Sequence, residues 1–136
     1  MTENTLIKKL QFKPGLRALF LNTPEGYVAS LGPLPDGITL VDGPAGTLDF
    51  VQLFVRDSAE LAKYAPAALA AIKRDGVFWI SYPKKSSGVV SDLTRDEGWA
   101  PIAAAGLRPV TQIAVDETWS AVRWRPIELV KSKASG

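Results

Sequence analysis

The residues best suited to chemistry lie in one polar stretch, Tyr82-Pro83-Lys84-Lys85-Ser86-Ser87-Gly88. Two ammonium groups, two hydroxyls and a glycine form a donor set suited to a phosphate or a carboxylate. The Gly-x4-Gly-Lys-Ser/Thr spacing of a P-loop is absent. The competing reading of Lys84, Lys85, Ser86 and Ser87 is a solvated loop whose lysines serve solubility. Thr94-Arg95-Asp96-Glu97 has the pattern of a capping box, and capping accounts for these residues better than ligand binding does. Arg123 and Arg125 alternate with Trp124 near Trp119, and basic residues interleaved with aromatics can hold a single nucleic-acid strand. The net charge of only +2 favours core and surface roles for them. Asp116 and Glu117 are sequence neighbours, so they read as a turn and not as a facing acid–base pair.

The chain has no histidine and no cysteine. That excludes a histidine-based catalytic triad, a histidine or thiolate zinc site, a cysteine nucleophile and any disulfide. Catalysis would have to use carboxylates, Lys, Ser, Thr, Tyr or a bound cofactor. At 136 residues, with 46% hydrophobic and 22% charged, the composition is that of one globular domain able to bury a core. No apolar window is long enough for a membrane-spanning helix. Lys8 and Lys9 break up any apolar stretch of a signal peptide. These features predict a soluble, cytoplasmic protein. Residues 1–13 read as an N-terminal arm, 14–126 as a single α/β domain and 127–136 as a polar tail.

The elements that must position the polar residues follow from apolar runs and their punctuation. Leu16 to Asn22, Ile38 to Val41, Leu48 to Val55, Val77 to Ser81, Val110 to Val115 and Trp119 to Arg125 read as strands. A short helical piece is expected over Tyr27 to Leu31. A longer helix is expected from Ser58 to Arg74, opened by an Asp57/Glu60 capping box and stopped at Gly76. Pro66 predicts a kink in it, or two short helices meeting at Ala65. Another helix runs from the Thr94 box to Ala105 and stops at Gly106. Tyr82 to Asp92 is a polar loop. Alternating strands and helices imply a mostly parallel, Rossmann-like sheet with helices on its faces, and the last two strands form an antiparallel hairpin. In that hairpin, Val122 and Trp124 share the face under a helix.

This order resembles the fold of class I S-adenosylmethionine-dependent methyltransferases. Ile72-Lys73-Arg74-Asp75-Gly76-Val77-Phe78-Trp79-Ile80-Ser81 is similar to the family's helix-turn-strand segment, and Leu48-Asp49-Phe50-Val51 to the strand before it. Together with the hairpin after Gly106-Leu107, the resemblance covers about residues 14 to 126. The chain also resembles a family of short bacterial proteins, a domain of unknown function, that carry the Tyr82–Gly88 loop. The methyltransferase resemblance implies an acidic-x-Gly-x-Gly-x-Gly cofactor loop after the first strand, where glycines let backbone approach the cofactor. Its positions fall on Asn22, Pro24, Gly26 and Val28. Only Gly26 is retained. Asn22 replaces the carboxylate, Pro24 has no N–H, and Val28 adds a branched side chain. The resemblance further implies a ribose-binding acid about 20 residues on, which falls on Asp42; the competing reading of Asp42-Gly43 is a plain turn. Only Gly43 to Thr47 separate the second and third strands, too few for a crossover helix, so the fold is shortened by one strand. The Ile38–Val41 strand then becomes an exposed edge, which motivates the expectation of a homodimer.

Three functions stay open. The first is a non-catalytic methyltransferase-like domain that binds a small ligand or a protein partner through Asn22–Tyr27 and Tyr82–Ser87. The second is an S-adenosylmethionine-dependent methyltransferase with an altered cofactor loop, using Asn22, Gly26 and Asp42. The third is an anion or nucleic-acid binder through Lys84–Ser87. No residue takes a catalytic role, and S-adenosylmethionine enters by resemblance alone.

Overall fold

The computed structural model describes residues 10, 15–27, 37–41, 48–84, 88, 91, 93, 99–115 and 118–127. Within them lie β1 (Arg17–Leu21), β2 (Thr39–Leu40), β3 (Leu48–Phe54), α1 (Ser58–Ala71), β4 (Ile72–Pro83), α2 (Ala100–Ala104), β5 (Leu107–Ala114) and β6 (Trp119–Pro126). The strands form one six-stranded sheet in the order β2-β1-β3-β4-β6-β5. β2, β1, β3 and β4 run parallel. β6 enters antiparallel between β4 and β5. The α/β reading and the C-terminal antiparallel hairpin are therefore what the chain adopts, and β2 is an edge, as expected of the shortened fold.

The two faces of the sheet are covered differently. α1 presents Leu61, Ala65, Ala68 and Ala71 to the sheet at the three- and four-residue spacing of one helical face. These small side chains let the helix approach Leu19, Val51, Leu53, Phe78 and Ile80 closely, and Val122, Trp124 and Ile102 of α2 complete this layer. The opposite face buries Ala18, Phe50, Phe54, Trp79 and Ala121 against Tyr27 and Leu10. Leu10 is fully buried, and its carbonyl accepts the indole N–H of Trp79 at 2.9 Å.

α1 differs from expectation at both Pro66 and its C-terminus. It is one unbroken helix through Pro66. Pro66 and Ala62 both lie on the exposed side, so the Ala62 carbonyl that loses its helical partner faces water. The helix ends at Ala71, not Arg74, and Ile72 turns to an extended φ of −74° and ψ of 134°. Residues 72–76 belong to β4 instead. Pairing advances from Leu48 to Phe50 on β3 while it advances from Ile72 to Val77 on β4, so the extra β4 residues bulge out. Gly76 sits inside that bulge and stops no helix: a Cβ there would lie 2.8 Å from Ile72 Cδ1. Asp49 holds the bulge down. Its Oδ1 accepts from Lys73 Nζ at 2.8 Å and its Oδ2 from the Arg17 N–H at 2.9 Å. Tyr82 and Pro83 are likewise strand residues, paired with Ser120 and Trp119, and not the start of a polar loop. The helical stop at Gly106 is as expected, with a φ of +89°. The Thr94–Glu97 box, the turn at Asp116-Glu117 and residues 28–31 of the short helical piece lie outside the described residues.

Candidate functional site

The parallel strands point their carboxyl ends to one edge, and the strand order reverses direction between β1 and β3. Open α/β sheets bind ligands in the crevice at such a switch point. Asn22 leaves β1 there with a φ of +54°, a left-handed conformation that asparagine tolerates better than most residues. Its Nδ2 donates to the Phe54 carbonyl at 2.8 Å and to Glu60 Oε1 at 3.3 Å. One carboxamide thus ties the end of β1 to the end of β3 and to the first turn of α1.

The turn after Asn22 is tight. The Tyr27 N–H donates to the Pro24 carbonyl at 3.1 Å, and Gly26 between them has a φ of +80°. A Cβ built on Gly26 meets nothing within 4 Å. The glycine is required by backbone conformation, not by a close approach. The turn seats Tyr27 in the core, where its ring lies 4.6 Å from that of Phe54.

The Asp57/Glu60 signal makes a real cap with an added role. Asp57 Oδ1 accepts from the Glu60 N–H at 2.9 Å, as a capping box requires. Glu60 Oε1 reaches back one residue further than the motif predicts, to the Arg56 N–H at 2.8 Å. Its Oε2 takes both Arg56 Nη2 at 2.7 Å and Nε at 3.2 Å. These bonds from Arg56 hold the Glu60 carboxyl below its ordinary value, and the same contact raises the Arg56 guanidinium. Glu60 and Arg56 are the site residues that reading the sequence missed. The capping box was visible, but its reach to Asn22 spans 38 positions.

Lys84 stands at the same edge. Its N–H donates to the Thr118 carbonyl at 2.7 Å, extending the β4–β6 ladder past Pro83. Asn22 falls beside Phe54 and Ser81 in register, so Lys84 projects roughly 10 Å beyond it at the strand rise. Tyr82 belongs to the helix-covered core: its hydroxyl accepts from Gln112 Nε2 at 2.9 Å, and its ring packs edge-on to Trp99. The structure therefore brings Asn22, Gly26 and Lys84 to one edge. Asp42, Lys85, Ser86 and Ser87 lie outside the described residues. Beneath this edge Gln52 forms a buried relay, accepting from Tyr27 Oη at 2.8 Å and donating to Ser81 Oγ at 3.0 Å. A glutamine inside an apolar strand was the signal that could have found it, because a buried amide must be hydrogen-bonded. Among the described residues no cluster of three acidic side chains is placed to hold a metal ion, and no helix is long and apolar enough to cross a membrane.

An N-methyltransferase, NodS, of Bradyrhizobium japonicum in complex with S-adenosyl-L-homocysteine matches at a TM-score of 0.58 and 13% identity, covering 90% of this chain and 85% of that one. A SAM-dependent methyltransferase from Aquifex aeolicus matches at 0.56 and 16%, covering 88% and 87%. Aeropyrum pernix fibrillarin with natively bound S-adenosyl-L-methionine matches at 0.57 and 15%, covering 83% and 67%. The chain has a shortened class I methyltransferase-like fold. No protein-family model and no curated protein matches the sequence.

The methyltransferase-like fold implies a methyl-donor site at this switch point, and among the described residues Asn22, Pro24 and Glu60 do not fit it. The Asn22 amide hydrogens are engaged by Phe54 and Glu60. Pro24 offers no N–H. Glu60, the carboxylate that meets Asn22, is paired with Arg56 at 2.7 Å, so it is poorly placed to attract the sulfonium and ammonium charges of the donor.

Proposed function

We propose that this chain is a methyltransferase-like domain that does not transfer methyl groups. It binds a small ligand or a protein partner at its carboxyl edge, through Asn22–Tyr27 and through Lys84–Ser87, which follows the end of β4. The observation that carries this reading is the Asn22 bridge: the side chain standing at the methyltransferase family's acidic position is tied up by hydrogen bonds to Phe54 and Glu60. Calorimetric titration with S-adenosylmethionine and S-adenosylhomocysteine tests it, with Asp42→Ala as the companion variant. No saturable heat is expected up to millimolar ligand. Saturable binding that Asp42→Ala weakens overturns the reading in favour of a working methyltransferase with an altered cofactor loop.

An anion-binding role for Lys84, Lys85, Ser86 and Ser87 is the second reading, favoured by the projection of Lys84 past the strand ends. Its mark is affinity for inorganic phosphate or a single nucleic-acid strand that falls steeply with salt. A homodimer through β2 belongs to the same proposal, because β2 is an edge whose Leu40 is 46% exposed. A monomer by light scattering at tens of micromolar counts against it.

A further inference from the structure

A hollow of about 500 Å³ opens at the other end of the molecule, where β4 and β5 begin and β6 ends. Its walls include Leu69, Phe78, Leu107, Trp124, Pro126 and Ile127. That volume lies within the range of small-molecule pockets, roughly 300–1,000 Å³. It shares no residue with the Asn22 edge.

Two polar features set this hollow apart from an apolar packing gap. Trp124 is only 3% exposed, and its Nε1 is buried with no hydrogen-bond partner. An orphan donor of this kind is rare in a folded protein and calls for an acceptor. Lys73 lines the hollow as well. Its ammonium meets Asp49 Oδ1 at 2.8 Å, but an ammonium has three N–H bonds to give. Arg108 adds a second cation beside the wall, its Nη1 donating to the Leu107 carbonyl at 2.9 Å. The Asp49 carboxylate that meets Lys73 has both oxygens engaged, by Lys73 and by the Arg17 N–H. Among the described residues, the hollow thus combines apolar walls, a buried donor and cationic groups.

We propose that this hollow binds a small apolar carboxylate. The hydrocarbon part lies along Leu69, Phe78, Leu107 and Ile127, and the carboxylate accepts from Lys73 and from the Trp124 indole. Charge complementarity selects the acid over a neutral or cationic molecule of the same length.

The test uses the full chain with octanoate as the probe and octylamine as the control. Calorimetry reads affinity, and a proton–nitrogen spectrum reads the Trp124 indole signal, assigned by its loss in Trp124→Phe. Octanoate is expected to saturate with a Kd below about 1 mM and to move the indole signal, while octylamine does not bind. Leu69→Trp, which fills the hollow, should abolish binding in a protein whose thermal midpoint shows it folded. Trp124→Phe keeps the aromatic wall and should weaken octanoate about tenfold. The proposal is overturned by no saturation at 10 mM (roughly ten times the expected Kd), by equal octylamine binding, or by affinity that survives Leu69→Trp. Unchanged affinity in Trp124→Phe overturns the assignment of the indole donor.

Discussion

Asn22 Nδ2 lies 2.8 Å from the carbonyl oxygen of Phe54, and this single hydrogen bond joins the carboxyl ends of the two strands that flank the switch point. Replacing Asn22 by the acidic residue that the methyltransferase resemblance implies at this position would break it. An aspartate has no hydrogen to give to Phe54 O, and its charge would stand beside Glu60.

Asn22→Asp is therefore expected to lower stability at pH 7 by about 2–3 kcal/mol, and Asn22→Ala by about 1–2 kcal/mol. The alanine loses the bond and takes on left-handed backbone strain without adding charge. Urea denaturation of the two variants checks the order. An aspartate variant as stable as the parent would show that this contact does not hold the strand ends together.

Acidification should loosen this edge and also the opposite end of β3. The Glu60 carboxyl is held below its ordinary 4.5, first by the hydrogen bond from the Arg56 side chain. Asp49 is held below its ordinary 3.8, first by the Arg17 N–H and then by Lys73. Both folded values are depressed. Their stabilisation is thus fully present above the unfolded values and is lost as pH falls through the lowered folded ones. Glu60→Gln keeps the acceptor for the Arg56 N–H but not the charge. Its stability deficit at pH 7 is expected to shrink on acidification from pH 5 to pH 3 (roughly the span around an ordinary carboxyl). Denaturation midpoints across that range measure it, and a deficit independent of pH would show that the charge contributes nothing.

How far these features can be read from the sequence depends on how local their causes are. β1 and β3 announce themselves as apolar runs, and Asp57 with Glu60 marks the start of α1, because each signal lies within a few residues. The end of α1 was misread for the converse reason. Lys73, Arg74 and Gly76 look like a last helical turn and a stop, yet the chain leaves the helix at Ile72 because Leu48 pairs with it and Asp49 binds Lys73. Those partners lie more than twenty positions away, and no local pattern reports them. The site divides in the same way. Asn22, Gly26 and Lys84 were placed at one edge by strand order, whereas the tie from Asn22 to Glu60 needed the fold.

The two bonds that Asp49 makes can be separated by mutation. Lys73→Met removes a partly exposed ion pair and is expected to cost under about 1 kcal/mol. Asp49→Ala also strips the Arg17 N–H of its acceptor where β1 begins, and should cost about 1–2 kcal/mol. Equal losses in thermal or urea denaturation would mean that the backbone bond adds nothing to the pair.

The Gln52 relay makes the sharpest prediction because Tyr27, Gln52 and Ser81 are all buried and Gln52 links the other two. Tyr27 Oη and Ser81 Oγ both depend on Gln52, at 2.8 Å and 3.0 Å. Gln52→Leu removes the centre and takes from a buried phenol and a buried hydroxyl the hydrogen bonds that Gln52 makes with them. The expected loss is about 2–4 kcal/mol, since a stranded buried donor costs more than the bond it once made. Adding Tyr27→Phe and Ser81→Ala to Gln52→Leu removes the stranded groups, so the triple variant should be more stable than Gln52→Leu alone. A simple additive loss across the three substitutions, measured by urea denaturation, would mean that water reaches these groups and that the relay is not a closed unit.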